Sequence, residues 1–230
     1  MRILISILLL VSSFGVFSQS GKLVFETNYN TFSQASLSDF QEEFKADLPE
    51  IPIQTTDDFP GNIGFTLGYE IVNANVLVFG SYNTTGGKLS YSDFSGVVRI
   101  TESLKGYTLG AEYLVPFNKT DSNFTLGLRG FGMYSTMSLE NFTEILDDVT
   151  EENIDFQSIN LGVGARVIYE YPLSFLIIKA SVGFDLTFGG TLMFQENSDF
   201  HLENNAGEKV KTNWTGLRTA LGIAIPLNNQ

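Results

Sequence analysis

Residues Phe175 to Phe188 alternate almost without error between apolar and polar side chains. Leu176, Ile178, Ala180, Val182, Phe184, Leu186 and Phe188 fall on one set of positions; Lys179, Ser181, Gly183, Asp185 and Thr187 fall on the other. Successive side chains of a strand point to opposite faces, so this segment reads as a strand with one greasy and one charged side. Eight segments alternate in this way, at about 22–32, 62–72, 75–84, 106–116, 123–136, 157–171, 174–188 and 214–227. Their connections alternate in length. Short turns fall at Val72–Asn75, Asn118–Ser122 and Tyr171–Ser174, and long polar connections at 33–61, 85–105, 137–156 and 189–213. The pattern predicts an all-β, eight-stranded, antiparallel, up-and-down transmembrane barrel. Short turns and both termini would be periplasmic, and the long loops extracellular.

Parity sharpens the expectation. The polar face of the sixth strand is Asn160, Gly162, Gly164, Arg166 and Glu170, all even; that of the seventh is Lys179, Ser181, Gly183 and Asp185, all odd. A two-residue turn at Pro172-Leu173 pairs even with odd and keeps both polar sets on one side of the wall. A slip of one residue would drive lumen charges into lipid, so register is strongly specified. Tyrosines mark the two ends: Tyr69, Tyr113, Tyr169 and Tyr171 by the short turns, Tyr29, Tyr82, Tyr107 and Tyr134 by the long connections. Two such rings match the aromatic girdles of membrane interfaces. A soluble barrel would place its apolar face inside, leaving the charged, glycine-interrupted face in water.

Three strands repeat a motif: Phe65-Thr-Leu-Gly-Tyr-Glu70, Tyr107-Thr-Leu-Gly-Ala-Glu112 and Phe124-Thr-Leu-Gly-Leu-Arg129. With the segment Thr85–Gly96, they give a chain that resembles the small Gram-negative outer-membrane barrels of the eight-stranded OmpA/OmpX type. The resemblance implies an outer-membrane location, lipid neighbours, assembly by the barrel-insertion machinery and a monomeric state. Many barrels of that class end on an aromatic residue, whereas this sequence closes on Pro226-Leu-Asn-Asn-Gln230.

Composition narrows the chemistry. Arg2 followed by the apolar run Ile3–Val11 and small residues near Ser18 reads as a secretory signal over 1–18, leaving 19–230 as the barrel domain. Removing it leaves 12 basic against 26 acidic residues, a net charge of −14 that argues against nucleic acid as a partner. The absence of cysteine excludes a disulfide or thiolate–metal framework, and no cofactor motif is present. Fourteen acids lie in two stretches, Gln34–Gly61 and Met137–Phe156. Each also carries a helical pattern: Leu37, Phe40 and Phe44 in one, Leu139, Phe142, Ile145, Leu146 and Val149 in the other. Capping-box spacings at Ser38–Gln41 and Asn141–Glu144 predict two short loop helices packed over the mouth. Asp57-Asp58 and Asp147-Asp148 offer oxygens but lack the spacing of a calcium loop, so solvated charge is the expectation.

The informative constellation is inside. Glu26, Glu70, Glu112, Arg129, Arg166, Glu170, Lys179, Asp185 and Arg218 all fall on inward positions, with acids and bases segregated to opposite walls. An eight-stranded barrel is just wide enough for side chains to fill it, so structural ion pairs across the lumen are expected. The chain's one histidine, His201, neighbours Ser198, Asp199 and Glu203, but sequence neighbours do not make a catalytic relay. The reading is a non-enzymatic barrel with a structural or surface-interaction role, its partners envelope lipids and a surface protein. The alternative is a narrow channel or a binder of small hydrophobic molecules; a lipid A-modifying enzyme ranks third.

Overall fold

The computed structural model describes residues 21–47, 52–94, 96–117, 123–146 and 148–227. The segment expected to be a signal, residues 1–18, the turn expected at Asn118–Ser122, Asp147 and residues 228–230 lie outside them. Alternation converts into strands β1 (Gly21–Phe32), β2 (Gln54–Asp58), β3 (Asn62–Ile71), β4 (Val76–Asp93), β5 (Gly96–Pro116), β6 (Phe124–Ile145), β7 (Asp148–Pro172), β8 (Ile177–Gly189), β9 (Met193–Phe194) and β10 (Gly216–Leu227), plus one helix, α1 (Ala35–Asp47). Hydrogen-bonded neighbours run β4-β3-β1-β10-β8-β7-β6-β5, and β5 pairs back onto β4. Eight strands therefore close into an antiparallel barrel with no edge, the form a strand needs to cross lipid. The first and last wall strands seal it: β1 pairs β10 from Gly21 with Leu227 to Phe32 with Gly216.

Two of the expected turns can be checked. Ile71 pairs Val76 across a 3₁₀ turn at Val72–Ala74, closed by Asn75 in the left-handed region at φ 53°. The turn after β7 holds four residues rather than two, since Pro172 pairs Ile177, and Leu173 N–H donates to the Leu176 carbonyl at 2.8 Å. Adding two residues preserves parity, so Lys179 and Asp185 still point inward.

The largest departure lies at the long-loop end. Segments 85–105 and 137–156 are not loops: β4 and β5 stay paired up to Asp93 and Gly96, and β6 and β7 up to Ile145 and Asp148. The second loop helix does not form. Its segment carries β-branched Thr143, Ile145 and Val149, and β6 stays on the ladder with β5 all the way to Gly96 opposite Ile145. Tertiary pairing overrides a helical period here. The first segment does become α1. It has no β-branched residue and sets Leu37, Phe40, Gln41 and Phe44 on one stripe at i, i+3, i+4 and i+7. Helix α1 already begins at Ala35, so the Ser38 capping box is not formed; Ser38 Oγ instead donates to Asp58.

The wall presents an apolar outer belt. Ile63, Leu67, Leu109, Leu161 and Leu221 are each more than half exposed. The long-loop tyrosines Tyr82, Tyr107 and Tyr134 are register partners on adjacent strands and form one row. Above this row the sidedness of the same strands inverts. On β5 the outward set changes from Tyr113, Leu109 and Tyr107 to Lys105, Ser103, Thr101 and Arg99. The inward set changes from Glu112 and Thr108 to Leu104 and Ile100, both buried. The row therefore marks where lipid ends, and the strands beyond it form a sheet in water, ordered β2-β4-β5-β6-β7.

Candidate functional site

The lumen is zoned along its axis. At the short-turn end Lys22 Nζ sits 2.7 Å from Glu70 and 3.6 Å from Glu170, while Lys179 Nζ sits 2.9 Å from Glu170 and 3.6 Å from Glu70. Two ammonium groups and two carboxylates thus alternate in a ring, with Val24, Leu77, Leu114 and Ile168 packed beside it. Lys22 was not among the nine expected residues. It shares Glu26's even parity on β1, a signal that its place at the strand's first residues obscured. With it, the ion-pairing residues below the tyrosine row number five acids and five bases among the described residues.

A second cluster lies higher. Arg166 donates from Nε and Nη2 to the two oxygens of Glu112, each at 2.7 Å, and from Nη1 to Glu26 at 2.7 Å and Ser181 Oγ at 3.3 Å. A guanidinium fork matched to a carboxylate in this way makes a strong, directional pair. Glu112 is on β5 and Arg166 on β7, so the pair spans β6 where Gly127 lies opposite Arg166. Any Cβ at Gly127 would overlap the Glu112 carboxylate, which makes glycine the residue that lets these strands communicate. Asp185 takes Arg218 Nε at 3.0 Å and lies 3.7 Å from Arg129 Nε. Arg129 spreads its guanidinium over the Phe79 ring, 4.3 Å from the centroid. The acids and bases are not segregated to opposite walls: β1, β7 and β8 each carry both signs, and the partners differ from the register, since Glu112 faces Arg129 on the neighbouring strand and bonds Arg166 instead.

Above the ions is a neutral polar layer. Asn28 donates to Thr66 Oγ1 at 2.8 Å, and Asn30 donates to Asn83 at 2.9 Å and Asn62 at 3.2 Å. The mouth is then covered by an apolar cluster containing Phe32, Leu104, Met133, Met137, Phe156 and Trp214 from the wall, with Leu37 from α1. Trp214 is 1% exposed; its indole N–H donates to Ser135 Oγ at 3.0 Å. Two turns further along the same stripe of α1, Phe44 packs against Ile53, Leu89 and Ile100 above the tyrosine row. The last long connection buttresses the helix: Asn205 N–H donates to Glu43, Lys211 N–H to Ser36 Oγ and Asn213 N–H to Gln34 Oε1. The cover is therefore one helix and one irregular connection, not two helices.

His201 pairs as an isolated bridge with Met193 in that connection, and its Nδ1 is buried with no hydrogen-bond partner. A base needs a held nucleophile within hydrogen-bond reach, and among the described residues Nδ1 has none. Among the described residues no group of three or more His, Asp or Glu side chains could hold a metal ion.

No protein-family model matches the sequence, and no curated protein matches it. Among solved structures, the chain is similar to a major outer membrane protein of Thermus thermophilus, at 12% identity, with 90% of this chain and 99% of that one covered and a TM-score of 0.47. It is also similar to Ail, the attachment invasion locus protein of Yersinia pestis, at 12% identity, 92% and 100% coverage and a TM-score of 0.39. Neisserial surface protein A follows at 10% identity, 89% and 96% coverage and 0.37. Closure, sidedness and lumen filling rest on this chain's own register and contacts. By those, the chain is a closed, eight-stranded antiparallel β-barrel with an apolar outer belt and a charged interior.

Proposed function

We propose that this barrel is a non-enzymatic, non-conducting scaffold that holds a rigid sheet outside the cell for contact with another surface protein. The observation that carries the reading is the sheet's two unequal edges. The β2 edge is five residues long, bulged between Thr55 and Asp57, and flanked by Pro52 and Pro60. Those are the devices by which sheets avoid further pairing. The β7 edge is regular from Asp148 to Ile154, and over that span β6 is its only strand neighbour among the described residues. Alternate backbone groups there point away from β6, next to Asp148, Glu151, Glu152 and Asp155. Such an edge accepts an added strand, and its charge selects an extended, basic one.

The test uses the full chain in lipid vesicles with a decapeptide alternating lysine and threonine, against its glutamate counterpart. Salt-sensitive binding of the lysine peptide is expected, lost in the double variant Glu151→Lys, Glu152→Lys and retained in Asp57→Lys. Equal binding of both peptides would sink the reading. The ion-paired lumen supports the non-conducting half of the proposal. Large, steady conductance across planar bilayers would contradict it.

A further inference from the structure

One buried acid belongs to neither cluster of lumen charges. Glu102 is on the inward face of β5, five residues beyond Tyr107 and hence above the membrane row, and is 2% exposed. Its hydrogen-bond partner is Gln41 of α1, whose Nε2 donates to Oε2. The site is shaped for this pair. Gly87 lies opposite Glu102 on β4, and a Cβ there would collide with both Gln41 Nε2 and the Glu102 carboxylate. Among the described residues no cation answers the carboxylate. Across the neighbouring strands stand Gly87 on β4 and Leu139 on β6; along β5 stand Ile100 and Leu104. The charged group that reaches it is another anion, Asp58 of β2, and Lys45 of α1 is taken up by Glu42 at 2.8 Å. Lys88, next to Gly87 in the chain, has the opposite parity and belongs to the outer face of β4.

The amide side of the pair points the same way. Gln41 Oε1 is buried with no hydrogen-bond partner. A protonated Glu102 offers the O–H donor that this oxygen lacks; an ionised Glu102 offers it only repulsion. An orphaned buried acceptor costs free energy, as does an uncompensated buried charge.

We propose that Glu102 and Gln41 form a proton-operated latch, which holds α1 over the barrel mouth while Glu102 is protonated and loosens it when Glu102 ionises. Burial pushes the Glu102 carboxyl up to about 7; the Gln41 hydrogen bond opposes this and Asp58 adds to it. Once α1 lifts, the carboxyl meets water and returns to its ordinary 4.5. Between those two values the closed state holds one proton more than the open state, so raising the pH favours opening. The open-to-closed ratio rises about tenfold per pH unit in that window, about 300-fold in all, and is level on either side of it. The latch does not depend on whether the β7 edge binds a partner.

Trp214, the chain's one tryptophan, lies in the apolar cluster that Leu37 of α1 covers, and reports directly. Quenching of its fluorescence by acrylamide, a neutral probe, would be followed in the vesicle-reconstituted full chain from pH 4 to 8.5. The quenching constant is expected to rise several-fold with pH in wild type, to stay flat and low in Glu102→Gln, and to rise less and level off at a lower pH in Asp58→Asn. A flat wild-type profile overturns the latch, as does a rise that persists unchanged in Glu102→Gln, where His201 and every other titrating group remain. Should Glu102→Gln fail to assemble, Asp58→Asn decides alone: an unmoved profile counts against the proposal.

Discussion

The wall below the tyrosine row and the wall above it are built from the same strands and obey opposite rules. Below, Leu109, Val163 and Leu221 face outward while Glu26, Glu112 and Arg166 are buried inside. Above, Lys105 and Arg99 face outward while Leu104 and Ile100 are buried inside. Parity never changes; what changes is the solvent on the outer side. Lipid offers no partner to a charge and no hydrophobic penalty to a leucine, whereas water reverses both terms. The lower half therefore relies on internal ion pairs to fill its centre, and the upper half on an ordinary apolar core closed by α1.

The sharpest way to break the comparison is to unbalance the lower half. Arg166→Ala leaves Glu26 and Glu112 buried without their cation, and the loss should be about 4 kcal/mol, the range for breaking a buried pair. Reversible urea unfolding in vesicles measures it. The outer face gives the next test. Val163→Arg, about midway down β7's outer face, should cost about 3 kcal/mol, as cations do near the midplane of such barrels. Ser103→Lys, outward on β5 but above the tyrosines, should change stability by less than about 0.5 kcal/mol. Equal costs for the two would dissolve the boundary drawn at the tyrosine row. The cover is tested separately, since its loss leaves the barrel wall intact. Leu37→Ala removes the fully buried anchor of α1 and should weaken its docking by about 2 kcal/mol, seen as a red shift of Trp214 emission with the barrel's own unfolding midpoint almost unmoved.

Much of this was legible from single residues. Glu26, Glu70, Glu112, Arg129, Arg166, Glu170, Lys179, Asp185 and Arg218 are placed in the lumen by counting odd and even positions, since an inward step is a local property of the backbone. The helical reading of 137–149 misled because Leu139, Phe142, Ile145 and Val149 have a helix-like spacing, while the partner that claims the β6 positions, β5, comes from a distant stretch of the chain. In the structure Leu139 packs inward, and Phe142 lies outward beneath the Arg99 guanidinium, 5.7 Å from its ring centroid. The same inversion of sidedness hid the upper strands. A pattern that changes sign at Tyr107 and Tyr134 looks like the end of a strand, although the hydrogen-bonded ladder continues.

Alternation alone settled that the chain would form wall strands, which side chains would turn inward, and that acids and bases would share the interior, because sidedness needs only the two-residue period and a choice of solvent. Tertiary structure decided which groups meet. Arg166 reaches past Gly127 to Glu112, and Gln41 arrives over Glu102 from 61 positions away. Those pairings depend on strand stagger, on the room left by a missing side chain and on where one helix comes to rest, and none of these is encoded in any short stretch of residues.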